Sequence, residues 1–114
     1  SPFPPRFMDH HIYDVGRKLL TGLDPATGVI RVYAYGSRVR GDHDASSDLD
    51  LLVELEHVTA RAKREIRDRA WQLSLEEGYV ISVAIVSRQA FESGPLSASE
   101  YARQVHREGV EIGA

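Results

Sequence analysis

Two aspartates at the head of an apolar run are the residues best equipped for chemistry: Asp48 and Asp50 in Asp48-Leu49-Asp50-Leu51-Leu52-Val53-Glu54-Leu55. If the run is a strand, side-chain alternation puts both carboxylates on one face, where they can share a divalent cation. Aspartate is disfavoured in strands, and like charges side by side repel unless a cation or base holds them. A ligand therefore explains the pair better than structure does. Ten residues upstream, Gly36-Ser37 leaves another apolar run, Val29 to Tyr35. Glycine has no Cβ to block a close approach and serine can cap a following helix, so the pair can turn backbone N–H groups toward a phosphate. Taken alone, Gly-Ser after a strand is ordinary loop punctuation. A phosphate cradle and a metal clamp joined by one loop suggest a site for a nucleoside triphosphate and its magnesium.

The loop Gly36 to Asp50 holds further candidates. Arg38 and Arg40 are phosphate contacts by charge and position. A surface arginine bridging Asp42 or Asp44 is an equal alternative for Arg38, whereas the functional reading is preferred for Arg40. His10-His11, His43, His57 and His106 lack metal spacing with the acids, and His43 alone lies in this loop. The absence of cysteine removes disulfides, thiolate nucleophiles and thiolate zinc sites together.

The elements that must carry these residues follow from periodicity. Ile12, Val15, Leu19 and Leu20 predict a helix over Asp9 to Leu20, with Gly22 after it. Val29 to Tyr35 reads as a buried strand in which Tyr33 and Tyr35 pack, Ser37 to Gly41 as a short helix, and Asp48 to Leu55 as a second strand. Ala62, Ile66, Ala70 and Leu73 trace a helical stripe over Thr59 to Glu77, stopped by Gly78. Trp71 lies near that stripe and is read as core or interface. The basic run Arg61, Lys63, Arg64, Arg67 and Arg69, interleaved with Glu65 and Asp68, reads as a solvated face before a nucleic-acid surface. Tyr79 to Val86 predicts a third strand and Arg88 to Glu92 one helical turn. A last helix over Ser97 to Glu108, with Ser97 as cap and Glu100 three residues on, precedes a short strand at Gly109 to Ile112. The order α-β-α-β-α-β-α gives an α/β (α+β) fold, a small sheet with helices packed on it.

At 114 residues, with 42% hydrophobic and 27% charged residues, the chain is expected to form one core. The expected organisation is a Pro-rich extended arm over residues 1–8, with three prolines in its first five residues, and a single domain over 9–114. A net charge of -3 makes no broad case for nucleic acid. No run is long and apolar enough for a membrane span, and the start lacks the order of a signal peptide, so a cytoplasmic location is expected.

Gly36-Ser37, ten residues, then Asp48-Leu49-Asp50, together with Val39-Arg40-Gly41 and with Ser47 before the first aspartate, resembles the signature of the minimal nucleotidyltransferases (MNT) of the DNA polymerase beta superfamily. The closing Val105-His106-Arg107-Glu108-Gly109-Val110-Glu111-Ile112 is also similar to small members. The resemblance implies a polymerase-beta-like fold with a small mixed or antiparallel sheet. It implies a magnesium-dependent, ATP-binding transferase that passes a nucleoside monophosphate, AMP above all, to an acceptor hydroxyl. Gly36, Ser37, Arg38, Arg40 and Ser47 would then bind nucleotide, and Asp48 and Asp50 would be the catalytic metal ligands. It further implies an antitoxin whose partner is a HEPN ribonuclease toxin, in a homo- or hetero-oligomer. An antibiotic-type nucleotidyltransferase is a weaker alternative, since it needs an added domain. The chain departs from the family pattern where active members carry a third carboxylate on a later strand. Tyr79 to Val86 has no acid, and Ser82 or Ala84 takes that place. A serine hydroxyl is no general base near neutral pH. Glu54, about 13 Å from Asp50 along a strand, and Glu76 or Glu77 are the remaining candidates, and a binding module without catalysis is the alternative function.

Overall fold

The computed structural model describes residues 10–42 and 44–113; the arm expected at residues 1–8, and His43, lie outside the described residues. Among the described residues, five α-helices, α1 (His10–Thr21), α2 (Ser37–Arg40), α3 (Ala60–Glu77), α4 (Arg88–Glu92) and α5 (Glu100–Glu108), accompany four strands. The strands are β1 (Val29–Tyr35), β2 (Leu49–Leu55), β3 (Ile81–Ser87) and β4 (Val110–Gly113), in the order β3-β2-β1-β4. β1 pairs antiparallel with β2 and with β4, while β2 and β3 are parallel and joined across α3, so the sheet is mixed as the resemblance implied.

β2 is the axis of the core because its alternating side chains are covered on both faces. Leu49, Leu51, Val53 and Leu55 pack with Ile12, Val15 and Leu19 of α1 and with the α3 stripe Ala62, Ile66, Ala70 and Leu73. On the other face Leu52 meets Phe91 of α4 and Ala102 and Val105 of α5, with Tyr33 and Tyr35 against them. Truncating any one of the fully buried leucines to alanine removes about 2–5 kcal/mol. Thr59 starts α3 by accepting the Ala62 amide at 3.0 Å, and Gly78, with φ 84°, ends it.

Two expectations are corrected. The last helix starts at Glu100, not at Ser97, and its cap is Ser99, whose hydroxyl accepts the Ala102 amide at 3.1 Å. Pro95 opens a separate single-turn 3₁₀ helix, Pro95–Ala98, and the Ser97 hydroxyl bonds back to the Gly94 carbonyl inside it. The third strand begins at Ile81 because Tyr79 and Val80 complete the turn out of α3, although the Val80 carbonyl already accepts the Leu49 amide at 2.9 Å. Trp71, read as core or interface, is 66% exposed on the opposite side of α3 from the buried stripe, so of those two readings the structure excludes core. Among the described residues, no helix is long and apolar enough to cross a membrane.

Candidate functional site

Gly36 is dictated by Asp50. Tyr35 and Asp50 are register partners in the antiparallel β1/β2 ladder, so the chain leaving β1 passes directly over the Asp50 side chain. A Cβ on Gly36 would collide with the Asp50 Oδ2 and lie 3.3 Å from its Cγ. The backbone also stands at φ 86°, ψ -164°, a region that is all but reserved for glycine. The turn then tightens into α2, which buries Val39 and closes at Gly41 with φ 87°. Gly36, the N-cap of α2, has no side chain with which to cap it.

Asp48 stands one residue before β2 and is exposed, and Asp50 is half-buried on the strand, so the two-residue spacing presents both acids at the same end of the sheet. Burial holds the Asp50 carboxyl above the ordinary aspartate range, the charge of Asp48 pushes it the same way, and Arg40 opposes both. The pair is thus an under-neutralised anionic site, and a divalent cation is the group that would relieve it. Ser82 is the register partner of Asp50 on β3 and is exposed, so the structure puts a hydroxyl beside the second aspartate. Among the described residues, no group of three or more histidine, aspartate or glutamate side chains could hold a metal ion.

Glu54 and Glu77, two of the three substitute acids, are engaged elsewhere. Glu54 is completely buried beyond Leu52, with Arg31 Nε 3.3 Å from its Oε1, and Arg31 also reaches Glu92 at 3.2 Å. Burial raises the Glu54 carboxyl, with Arg31 partly compensating. Glu77 turns toward α1, where it meets His11 and, at 3.8 Å, Lys18. An open depression lined by Glu56, His57, Ser87, Arg88 and Glu92 lies at the far end of β2 and β3 and shares no residue with the aspartate pair.

The arginines divide. Arg38 donates through Nε to the Ser47 carbonyl at 2.8 Å and through Nη2 to the Ala45 carbonyl at 3.3 Å, and its guanidinium stacks 3.9 Å over the Tyr79 ring. It pins the loop that delivers Asp48. The Ser47 hydroxyl is turned to Asp44, accepting its amide at 3.1 Å, so Ser47 also shapes the loop. Arg40 lies on the aspartate side and meets Asp42 at 3.2 Å and Glu108 at 2.9 Å.

Two residues near the site are not among the candidate site residues read from the sequence. Glu108, at the end of α5, accepts from Gln104 and from Arg40 at 2.9 Å each. Gln104, Arg40 and the Gly36 amide hold its carboxyl below the ordinary range. Tyr101 puts its hydroxyl 2.9 Å from that of Tyr35, and burial first, then this contact, raises its pKa far above that of free tyrosine. Asp50 raises both tyrosines further, which puts the hydroxyl pair within its field.

No curated protein sequence matches the chain. Among solved structures, a toxin-antitoxin complex crystallised with AMP-PNP is similar at TM-score 0.57 and 23% identity, covering 90% of this chain and 73% of that one. A candidate minimal nucleotidyltransferase is similar at TM-score 0.57 and 28% identity, covering 93% of this chain and 97% of that one. A family model described as a nucleotidyltransferase domain matches residues 17–110, from within α1 to the first residue of β4, and so includes Gly36, Ser37, Asp48 and Asp50. The chain belongs to the nucleotidyltransferase domain family.

Proposed function

We propose that residues 9–114 form one minimal nucleotidyltransferase domain that binds a nucleoside triphosphate with magnesium and passes its nucleoside monophosphate, AMP from ATP, to a hydroxyl of a partner protein. In that role it acts as the cytoplasmic antitoxin of a HEPN-type ribonuclease toxin. The observation that carries the proposal is the contact between Gly36 and Asp50, because it ties the Gly-Ser turn and the aspartate pair into one locus. The toxin-antitoxin complex with AMP-PNP among the similar structures supports the antitoxin role and the adenine nucleotide.

Asp48 and Asp50 would hold the cation, which when bound neutralises charge on the transferring phosphoryl group. Gly36 and Ser37 receive the β- and γ-phosphates on their amides, and Arg40 is the cationic contact. The acceptor oxygen forms a bond to the α-phosphorus, the bond to pyrophosphate breaks, and the hydroxyl proton leaves to solvent or to a group that the partner supplies. Incubation with labelled ATP, magnesium and the protein encoded beside it tests this reading. Label must reach the partner, and Asp48→Ala with Asp50→Ala must abolish it; transfer that survives the double substitution rejects the site.

Ser82 favours a second reading, a module that neutralises a partner by contact without transfer, since the position facing Asp50 carries no acid. Tight partner binding without label transfer, unaffected by the aspartate substitutions, would select it.

A further inference from the structure

The outer face of α3 carries apolar and charged side chains that nothing in the domain covers. Trp71 is 66% and Leu75 67% exposed, and Val80, just past the helix, is 54% exposed. At about 100° per residue, Ala60, Arg64, Arg67, Asp68, Trp71 and Leu75 fall within an arc of roughly 100°, centred opposite the buried stripe. Arg67, Trp71 and Val80 also line a shallow groove against β3, which is an edge strand. Arg64, Arg67 and Asp68 are all exposed and enter no ion pair among the described residues, although Glu77, at the end of the same helix, does.

We propose that this face is the contact through which two copies of the chain associate, their α3 helices antiparallel about a two-fold axis between Arg67 and Asp68. The side chains are self-complementary in that register. It pairs Arg67 with Asp68 of the partner subunit, Trp71 with Arg64 of the partner subunit, and Leu75 with Ala60 of the partner subunit. The two-fold repeats each contact in reverse, as an isologous interface requires. The central pair is an ion pair, the second a cation over an indole face, and the outermost covers an aliphatic side chain with a small one that permits close approach. A nucleic-acid backbone fits this face less well, because Asp68 sits among the cations and Trp71 and Leu75 offer no charge. α3 has 18 residues, so the contact runs at most about 27 Å and falls at the small end of specific interfaces, giving a concentration-dependent dimer. This inference stands apart from the nucleotidyl-transfer proposal.

Sedimentation equilibrium across micromolar to millimolar protein tests it. Wild type is expected to dimerise, and Trp71→Glu, Arg67→Asp and Asp68→Arg are each expected to weaken the dimer at least about tenfold, with unchanged circular dichroism at these exposed positions. An equimolar mixture of Arg67→Asp and Asp68→Arg chains restores opposite charges at both central contacts, as does the double variant in one chain. Both are expected to recover the wild-type dissociation constant to within about threefold. A monomeric wild type at millimolar concentration, a dimer indifferent to the three substitutions, or a mixture that stays as weak as its components would overturn the proposal.

Discussion

Ser82 stands beside Asp50 in the parallel register of β2 and β3, on the strand where active members of the resembled family carry an acid. Because Ser82 is exposed, a longer side chain fits there without repacking. Ser82→Asp is therefore expected to raise label transfer from ATP at least tenfold, the lower part of the general-base range of about 10²–10⁴ being reduced by imperfect placement. Ser82→Asn should give no gain. A third carboxylate without a cation adds repulsion at Asp50, so magnesium should raise the Tm of Ser82→Asp more than that of wild type. Equal Tm responses would show that position 82 does not face the cation site.

Gly36 and Gly41 offer a matched pair for testing how far Asp50 controls the turn. Both have positive φ, 86° and 87°, but a Cβ at Gly36 strikes the Asp50 carboxylate while one at Gly41 meets nothing within 4 Å. Gly41→Ala should cost the left-handed strain alone, about 1–2 kcal/mol, and leave nucleotide binding intact. Gly36→Ala should cost about 2–3 kcal/mol and abolish magnesium-dependent nucleotide binding, because the aspartate must move. Chemical denaturation and calorimetric titration of both variants check the contrast.

What the sequence made legible was local. β1 runs from Val29 to Tyr35 as its composition predicted, because turn residues bracket it on both sides and β-branched and aromatic residues fill it. The α3 stripe was equally plain, since one period and two punctuating residues, Thr59 and Gly78, define it. The choice between Ser97 and Ser99 as cap was not legible: both are serines in the right setting, and the turn that Pro95 starts decides between them. For Trp71 the sequence left core and interface open, and its outward angle on α3 excludes the first. In the site, the Gly-Ser and Asp-x-Asp spacing was visible, but the Arg40 contact to Glu108 spans 68 positions and Arg38 turned out to serve the loop. No period reports such contacts; only the sheet and α5 bring those residues together.

Glu108 occupies groups that the proposed nucleotide needs. Its carboxylate takes Arg40 Nη1 at 2.9 Å and draws on the Gly36 amide, two of the three donors assigned to the triphosphate. Nucleotide entry must replace these contacts, so removing the negative charge should help binding. Glu108→Gln is expected to lower the dissociation constant for magnesium-ATP about three- to tenfold, the scale of one exposed charge-assisted contact. Calorimetric titration measures it, and weaker binding would instead assign Glu108 to holding Arg40 in place. Because Gln104, then Arg40 and the Gly36 amide, depress the Glu108 carboxyl, its stabilising contribution is complete above the unfolded glutamate value and fades as pH falls through the lower folded one. Acid denaturation of Glu108→Gln should lack that component.

Asp50 gives the opposite sign. Burial, then Asp48, raises its carboxyl, so between the unfolded aspartate value of about 3.9 and the higher folded value the native state binds the extra proton. Stability of the metal-free protein must therefore fall as pH rises through that window, and ionised Asp50 remains a cost at neutral pH. Asp50→Asn is expected to remove this cost and raise the metal-free Tm by a few degrees, about 2–4 °C for a gain near 0.5 kcal/mol. Magnesium should raise the Tm of wild type and leave Asp50→Asn unchanged, because the cation competes with the same proton. Asp48→Asn removes one of the two raising influences, so the pH midpoint of magnesium binding should shift downward in that variant even as the affinity weakens. A midpoint that stays fixed while affinity drops would mean that Asp48 and Asp50 bind the cation without sensing each other's charge.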